Sequence, residues 1–484
     1  MISLVLVLVF VVAMIGIGVW GMRKTKTLND FFIGSRSIGP WISGFAYGTT
    51  YFSAVAFIGF AGKLGWGYGL NALWIAIGNA FLGAFLAWLV LGKRTRRMTQ
   101  NLDVVTMPEL LQERYGGKYF KIIAASVIFL FLLPYAASVF KGLGYLFELN
   151  FNISFNAALL IMVAITGIYL VLGGYFAVTI TDFIQGFIMV IGAVLMIIII
   201  VGKAGGFASA IQTIDVNFYK HIYANAAPDY WLLAAIVFMT SFGIWGMPQM
   251  VQRFYSIKDE KTINIAAYAT LGLALIISVC AYFNGALTHV FFDEPTMVNG
   301  VVNYDMMIPD MLVRCLPDIV MAIILLLILS ASMSTLSALV LVSASSVAID
   351  LYKGHVNPNI SKERSIFMMR FLSGIFIMIA YFIARYEISF IITLMSLSWG
   401  VIAGGFLAPY IYGLYWKRTT LIGAKAGMLT GVFLAISLFF VLGPAKAPIA
   451  SSIAMIVPFA VVPLVSIFTR KPASRRIVKA FKGI

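Results

Sequence analysis

Hydroxyl side chains are concentrated in an apolar stretch, from Ile319 to Ile349, that contains no charged residue. The hydroxyl residues at its centre are Ser330, Ser332, Ser334, Thr335 and Ser337. In a helix, one face is shared by small residues at i, i+3, i+4 and i+7 spacing, namely Ala331, Ser334, Thr335 and Ala338. Hydroxyl and carbonyl oxygens are hard ligands that suit a small hard cation. The pattern therefore predicts a cation site, with close packing of small residues between membrane helices as the alternative.

A second candidate site lies in the glycine-rich stretch from Gly39 to Gly69, where Thr49, Thr50 and Ser53 fall between glycines. Glycine in a helix interior costs up to ~1 kcal/mol relative to alanine. We therefore expect the helix to unwind over Gly48–Ser53 and to free main-chain carbonyls. In a bilayer such carbonyls must be satisfied by the protein, a cavity or an ion, and secondary transporters hold coupling ions in this way. The alternative is a continuous helix whose glycines permit close packing.

Composition indicates the elements that must position these residues. The chain has 484 residues, of which 62% are hydrophobic and only 11% are charged, as is typical of polytopic membrane proteins. Its formal net charge is +16, but the basic residues lie in short loops between apolar segments. That distribution reflects membrane topology, so we expect the lipid bilayer, and no nucleic acid, as a partner.

The apolar segments predict an all-α polytopic membrane protein with about 13 transmembrane helices. The predicted spans are about 2–22, 38–63, 69–92, 119–147, 154–174, 176–202, 231–252, 264–291, 316–349, 365–385, 388–415, 420–443 and 448–469. Alternate loops carry clusters of Lys and Arg, as does the tail. The positive-inside rule then places the N-terminus outside and the C-terminus in the cytoplasm of a multi-pass cell-membrane protein. No nucleotide-binding loop is recognisable, so uphill transport would need an ion gradient.

Counting the spans suggests a five-plus-five inverted-repeat core. The expected divisions are a first helix with its inside loop (1–37), the transport core (38–415), and two peripheral helices with a basic tail (416–484). Within the core, repeat one covers about 38–202 and repeat two about 231–415. In such folds the first helix of repeat one and the third helix of repeat two meet at the ion site. These are the glycine-rich second span and the hydroxyl-rich ninth span.

Several motifs, in order along the chain, resemble those of the sodium/solute symporter family. They are Gly34-Ser-Arg-Ser-Ile-Gly-Pro-Trp, Gly173-Gly-Tyr-Phe-Ala-Val-Thr-Ile-Thr-Asp, Gly246-Met-Pro-Gln-Met-Val-Gln-Arg-Phe, Ser332-Met-Ser-Thr-Leu-Ser with Asp350-Leu-Tyr, and Tyr415-Trp-Lys-Arg-Thr-Thr. The family includes carriers for proline, pantothenate, monocarboxylates, sialic acid and sugars. The resemblance implies cotransport of sodium with an organic solute by alternating access, with sodium as the bound ion.

The resemblance also implies a set of ligands. For the main sodium site these are the carbonyls of Thr49, Phe52 and Ala331 and the hydroxyls of Ser334 and Thr335. Some family members hold another sodium ion deeper in the protein. The matching residues are Asp182, Ser334 and Ser337, but Ala338 stands where a further serine is expected. Asp182 is therefore a candidate for a second cation site, for coupling, or for a structural role at the inner mouth.

By analogy with the family, the solute would lie beside the unwound segment, against the fourth and seventh spans. The candidate residues there are Ser53, Tyr135, Thr240 and Phe242. Tyr135 keeps an aromatic found in proline carriers, whereas Tyr51 replaces an acidic residue of those carriers. Lys141 lies in an otherwise uncharged part of the fourth span. It either extends toward the membrane surface, anchors a carboxylate substrate, or replaces a second cation.

The sequence thus predicts a sodium-coupled symporter that imports an amino acid or a small carboxylate. The alternatives are a proton-coupled or sodium-independent transporter of the same fold and, from another class, a channel or membrane sensor. An enzyme is not expected, because His221, His289 and His355 form no cluster in the sequence. No obligate protein partner is implied.

Overall fold

The computed structural model describes residues 2–24, 33–172, 175–224, 227–298 and 300–484, and these are almost entirely helical. Ten helices in the described part are long and apolar enough to cross a membrane, or eleven if a pair bent by 49° counts as one span. The chain is therefore an all-α, multi-pass membrane protein.

The helices are α1 (Ile2–Lys24), α2 (Pro40–Tyr51), α3 (Ala61–Tyr68), α4 (Leu73–Ile77), α5 (Lys93–Leu102), α6 (Met107–Tyr115), α7 (Lys118–Phe151), α8 (Phe155–Leu172), α9 (Tyr175–Lys203), α10 (Phe207–Ala224), α11 (Tyr230–Gly243), α12 (Pro248–Ser256), α13 (Ile263–Ala286), α14 (Thr288–Phe291), α15 (Met307–Cys315), α16 (Asp318–Ser345), α17 (Lys362–Arg385), α18 (Ile391–Tyr415), α19 (Leu421–Leu442), α20 (Ala447–Phe468) and α21 (Ser474–Ala480). Wider π-helical turns occupy Val55–Phe60, Gly78–Phe85, Trp88–Gly92 and Ser346–Val356. A short antiparallel hairpin pairs β1 (Met297–Val298) with β2 (Val301–Val302).

Three features separate this count from the predicted thirteen spans. The second predicted span is divided into α2 and the helical segment that follows it. That segment continues through the third predicted span as one helical path, Val55–Leu102. The fifth predicted span contains a shorter apolar helix, Phe155–Ile168.

The break in the second span is shorter than the sequence predicts. Helix α2 continues through Tyr51, and only Phe52 and Ser53 leave the helix, with Phe52 in an extended conformation (φ −103°, ψ 125°). The expectation that Gly48–Tyr51 unwinds is therefore wrong. The physical reason is that the helical hydrogen bond from the Phe52 N–H to the Gly48 carbonyl persists at 3.3 Å. Gly48 instead permits close packing, because a Cβ there would collide with Leu273.

The hydroxyl-rich helix α16 lies at the centre of the bundle, packed against α1, α2, α7 and α9. Its serines and threonine from Ser330 to Ser337 are all buried. The neighbouring helices α11 and α12 form the bent pair, with Pro248 at the first position after the bend. Because a helix cannot continue through proline without losing a hydrogen bond, α12 starts in a new direction. This direction carries Arg253 into the buried centre.

Candidate functional site

The break between α2 and the Val55–Phe60 turn meets the middle of α16. The Ser334 hydroxyl donates to Thr49 Oγ1 at 3.0 Å. The Thr335 hydroxyl lies 3.0 Å from the Thr50 carbonyl oxygen and 3.1 Å from the Ala331 carbonyl oxygen. All of these residues are buried. Four residues of the predicted sodium site, Thr49, Ala331, Ser334 and Thr335, thus lie side by side. The contact of Thr49 is made by its hydroxyl rather than by the predicted carbonyl, and the α2 carbonyl beside Thr335 is that of Thr50.

The remaining predicted ligand, Phe52, occupies the break itself, and its ring stacks on Tyr51 with ring centroids 4.6 Å apart. Two hydroxyls support the chain just after it. The Ala54 N–H donates to Ser332 Oγ at 3.2 Å, and the Val55 N–H donates to Ser53 Oγ at 3.2 Å. A main-chain break in a membrane must have such partners. The sequence reasoning assigned Ser332 no role, although it lies in the same hydroxyl run.

The donor set fits a small hard cation. The contacts that Ser334 and Thr335 make with α2 and with Ala331 involve only hydroxyl and carbonyl oxygens, which are ligands for Na⁺-like ions rather than for soft metals. No group of three or more His, Cys, Asp or Glu residues that could hold a metal ion occurs within the described ranges. The residues present therefore fit an alkali cation held by neutral oxygens.

Asp182 lies beside this cluster and is paired with a cation of the protein. Its Oδ2 accepts a hydrogen bond from Arg253 Nη2 at 2.7 Å, and both side chains are fully buried. The same guanidinium donates to Thr50 Oγ1 at 2.7 Å, so it joins Asp182 to α2. Ser334 also lies within hydrogen-bonding reach of Asp182. Sequence reasoning assigned Arg253 no role, although its motif was noted, because the partner of a buried charge cannot be read from spacing.

Ser337, the other residue matched to a second cation, does not face Asp182 with a free hydroxyl. Its Oγ donates to the Ser334 carbonyl at 2.9 Å within α16. A serine that satisfies its hydroxyl on the preceding turn is a common arrangement in membrane helices. Among the described residues, the carboxylate of Asp182 therefore has Arg253 as its compensating charge, and Ser337 is engaged by its own helix.

A cavity adjoins the break, and Phe52 and Ser53 at the break contribute to its lining. Its walls are mainly aromatic, and it is lined by Tyr51, Phe52, Ser53, Val55, Ala56, Phe60, Asn79, Tyr135, Thr240, Tyr282, Met395 and Trp399. The list includes three of the predicted substrate residues, Ser53, Tyr135 and Thr240, and no charged side chain. The space open to the centres of water molecules is only about 20 Å³, enough for about one water, so a solute would require the cavity to widen.

Contacts between the lining residues fix the shape of the cavity. The Tyr51 hydroxyl donates to the Thr240 carbonyl at 2.7 Å and thereby joins α2 to α11. The ring of Trp399 lies 5.9 Å from that of Tyr135, edge to face. Two buried polar atoms of the lining residues, Asn79 Oδ1 and Trp399 Nε1, have no hydrogen-bond partner in the described part of the chain. Buried polar atoms are normally satisfied, so two residues of the cavity lining each carry an unused hydrogen-bonding group.

Neither Asn79 nor Tyr282 was identified from the sequence, and Trp399 was considered structural. Asn79 could have been recognised from the sequence, because burying a lone amide inside an apolar span costs free energy unless the amide has a hydrogen-bond partner. Tyr282 and Trp399 carried no such signal, since aromatic residues are frequent in membrane helices.

Two predicted substrate residues lie away from the cavity. Phe242 packs against Phe238 and Trp245, with ring centroids 5.2 and 5.4 Å away, on another side of α11. Lys141 is buried and ion-paired with Asp305, with 3.5 Å between Nζ and Oδ2. Lys141 is not among the residues that line the cavity, and this ion pair favours a structural role over extension to the membrane surface or anchoring of a carboxylate substrate. Its charge is compensated inside the protein by an aspartate from a distant loop.

Curated proteins of similar sequence are transporters. The chain is 29% identical to the sodium/proline symporter of Haemophilus influenzae over 443 residues, covering 89% of this chain and 86% of that protein. It is 28% identical to the osmoregulated proline transporter OpuE of Bacillus subtilis over 486 residues, with coverage of 96% and 94%. It is 30% identical to sodium/proline symporter 2 of Staphylococcus saprophyticus, with coverage of 89% and 85%.

Solved structures show the same fold. A substrate-bound, outward-open Na⁺-coupled sialic acid symporter superimposes with a TM-score of 0.79 at 18% identity and covers 98% of both chains. A nucleobase-cation-symport-1 family transporter in a closed conformation superimposes with a TM-score of 0.57 at 12% identity, covering 94% of this chain and 99% of that chain. The family model for the sodium:solute symporters matches residues 31–431. The chain, with its buried oxygen cluster at a broken membrane helix, belongs to the sodium:solute symporter family.

Proposed function

We propose that this protein is a sodium-coupled symporter that imports a small organic solute, an amino acid or a small carboxylate, by alternating access. The observation that carries the proposal is the contact of Ser334 with Thr49, 3.0 Å apart, directly beside the cavity. Phe52 and Ser53 line that cavity, and Thr49 and Thr50 lie on the preceding turn. One break in the second span therefore borders both the ion site and the solute site.

This shared border supplies a coupling mechanism. Sodium held by Thr49, Phe52, Ala331, Ser334 and Thr335 would join the second span to α16 and fix the backbone of the break. Fixing that backbone orders two residues of the solute cavity, so each ligand would favour the conformation that binds the other. Release of sodium on the inner side would separate the two helices and let the solute site reopen outward.

We propose one sodium ion for each transport cycle. The second cation position, at Asp182 and Ser337, has the guanidinium of Arg253 against the carboxylate. Ala338 offers no oxygen where a further serine would be needed. Arg253 already pairs with Asp182 Oδ2 and also holds Thr50, while Asp182 Oδ1 has no hydrogen-bond partner among the described residues. We assign Asp182 to coupling or structure rather than to ion binding because its charge is already compensated by Arg253.

For the solute, the cavity favours a small molecule with both apolar and polar parts. Its aromatic walls, including Tyr135 and Trp399, suit an aliphatic or ring-shaped body and can contact an ammonium group through their faces. Asn79 and Trp399, which line the cavity, each carry a buried polar atom without a partner in the described part of the chain, an acceptor and a donor respectively. The three relatives of similar sequence described above are named as proline transporters. These observations favour an amino acid over a charged sugar acid, with a carboxylate of similar size as the second choice.

The proposed topology has thirteen spans, a five-plus-five core over 38–415, an external N-terminus and a cytoplasmic C-terminus. In support of it, basic segments distant in sequence meet at one end of the bundle. Arg97 of α5 pairs with Glu260 at 2.8 Å, and Asn101 of α5 donates to the Lys482 carbonyl of the tail at 2.8 Å. The positive-inside rule makes this end cytoplasmic.

Uptake into proteoliposomes tests the function. Purified protein would be given an inward sodium gradient, an inward proton gradient without sodium, or potassium alone, with labelled proline, other amino acids and short carboxylates. We expect saturable accumulation of one class of solute only under the sodium gradient. Accumulation under the proton gradient alone would establish the proton-coupled alternative. Saturable movement without accumulation would favour a sodium-independent transporter, and non-saturable movement without accumulation would favour a channel.

A further inference from the structure

The pair formed by Lys141 and Asp305 is a buried charged cluster that neither the ion site nor the solute site uses. The Asp305 carboxylate is fully buried, and Lys141 is 3% exposed. Lys141 lies near the end of α7 farther from the cytoplasmic face, and Asp305 lies in the turn Tyr304–Met306, between the hairpin and α15. A buried ion pair is retained only where its geometry and hydrogen bonds offset the cost of removing two charges from water.

Those hydrogen bonds extend the pair to a third element, the segment that leads into α18. The Ile391 N–H, at the first residue of α18, donates to Asp305 Oδ2 at 3.0 Å. Lys141 Nζ donates to the Ser389 carbonyl at 2.7 Å. One turn further along α7, the Tyr145 hydroxyl donates to the Glu387 carboxylate. The cluster thus fastens α7, the 304–306 turn and the start of α18 to one another, and the helix N-terminus adds to the stabilisation of the carboxylate.

This junction lies directly over the solute cavity. Met395 lines the cavity and lies one turn of α18, about 6 Å, from Ile391. Ile391 also packs so closely on Gly59 that a Cβ at Gly59 would collide with it, and the adjacent Phe60 is a cavity residue. The 304–306 turn approaches the same helical segment, since a Cβ at Gly62 would lie 2.5 Å from the Tyr304 carbonyl oxygen. A solute entering from the proposed external side must pass between these elements.

We propose that the Lys141–Asp305 pair is an outer latch that holds the external entrance of the solute cavity closed. Opening requires α18 and the 304–306 turn to separate from α7, which breaks the contacts of Lys141 and admits water to both charges. Closing removes both charges from water again. This step is favourable only when Lys141 and Asp305 regain each other and their hydrogen bonds to the start of α18. The closed state therefore depends on both members of the pair, whereas the open state depends on neither. The latch goes beyond the proposed function, but it rests on that function in one respect: the solute is taken to enter from the external side.

Chemical labelling of the cavity tests the latch without requiring transport. Met395→Cys would place a thiol in the cavity of the full-length protein in membrane vesicles, and a membrane-impermeant methanethiosulfonate would be added from each side in turn. The protein without this substitution gives the background rate of labelling at the native cysteines, Cys280 and Cys315. We expect Lys141→Met to raise the labelling rate from the outer side about tenfold or more, because Asp305 would lose its ion-pair partner and keep only the electrostatic influence of nearby Lys63. Asp305→Asn should raise it in the same direction.

Two variants serve as controls. Lys141→Arg keeps the charge and should leave the rate within about twofold of the parent. Arg314→Gln removes an exposed ion pair with Asp310 on the same side of the molecule, where the side chain of Arg314 is 65% exposed, and should have no effect because such pairs contribute little.

Equal outer labelling rates in the parent, Lys141→Met and Asp305→Asn, with all three proteins monodisperse in detergent, would overturn the latch. If Lys141→Met fails to fold, the labelling rate of Asp305→Asn tests the latch instead. This variant should fold, because the asparagine amide oxygen can still accept the hydrogen bond from the Ile391 N–H. The labelling rate needs neither sodium nor a particular solute. A failed latch therefore leaves the proposed symport intact, and a failed uptake experiment leaves the labelling result interpretable.

Discussion

Removing the hydroxyl of Thr335 gives the sharpest test of the ion site. Thr335→Val keeps the shape of the side chain but deletes the oxygen that lies 3.0 Å from the Thr50 carbonyl and 3.1 Å from the Ala331 carbonyl. Thr335 is fully buried, so water cannot readily replace that oxygen. Interactions of a neutral polar group with a charge contribute about 1.5–3 kcal/mol. The sodium concentration for half-maximal uptake should therefore rise about 10- to 150-fold.

The assay is the initial rate of solute uptake as a function of external sodium, with potassium replacing sodium at constant ionic strength. Thermal unfolding of the purified protein provides a second measurement, because sodium that binds only the folded state raises the midpoint in proportion to the logarithm of its concentration over its dissociation constant. The sodium-dependent shift of the midpoint should shrink in Thr335→Val and in Ser334→Ala.

Two matched variants show whether a change in sodium dependence comes from loss of the Thr335 hydroxyl. Thr335→Ser keeps the hydroxyl and should keep near-parental sodium dependence. Ser330→Ala removes another buried hydroxyl of α16, one without a hydrogen-bond partner in the described part of the chain, and should leave sodium dependence unchanged. If Thr335→Val and Ser334→Ala both retain the sodium dependence of the parent while remaining folded, the oxygen cluster is not the coupling site and the assignment is refuted.

Three other predictions concern the buried charges and the cavity. Arg253→Gln leaves Asp182 buried without a cation and should lower the free energy of unfolding by about 3–5 kcal/mol; adding Asp182→Asn should recover part of that loss in the thermal midpoint. Trp399→Ala removes one wall of the cavity and should weaken solute binding about tenfold or more, with sodium-induced stabilisation unchanged when solute is absent. Lys121→Met breaks the ion pair with Asp350, 3.3 Å away at the opposite end of α7; it should destabilise the protein by about 3 kcal/mol and leave labelling of the cavity from the outer side at the parental rate.

The contact between the second span and α16 was predictable from the sequence. Helical periodicity places Ala331, Ser334 and Thr335 on one face without any knowledge of the partner, and burial of uncharged hydroxyls in a membrane protein requires oxygen or N–H partners nearby. The glycine-rich span was the natural candidate for that partner. The extent of its break was not predictable, because glycine lowers helix propensity without forcing the helix to end. Here the helical hydrogen bond from Phe52 to Gly48 survives, and the break is confined to Phe52 and Ser53.

The membrane-spanning character of the chain, its family motifs and the hydroxyl face of α16 were thus determined by the sequence alone, because hydropathy and helical repeat are local properties. Only the tertiary structure decided the partners of the buried charges: Arg253 for Asp182, and Asp305 for Lys141. A lysine in an apolar span has the same hydropathy whether it reaches the membrane surface, binds a substrate or pairs with a carboxylate. Which of these occurs depends on which distant loop folds back onto it, and that is a property of the packed molecule.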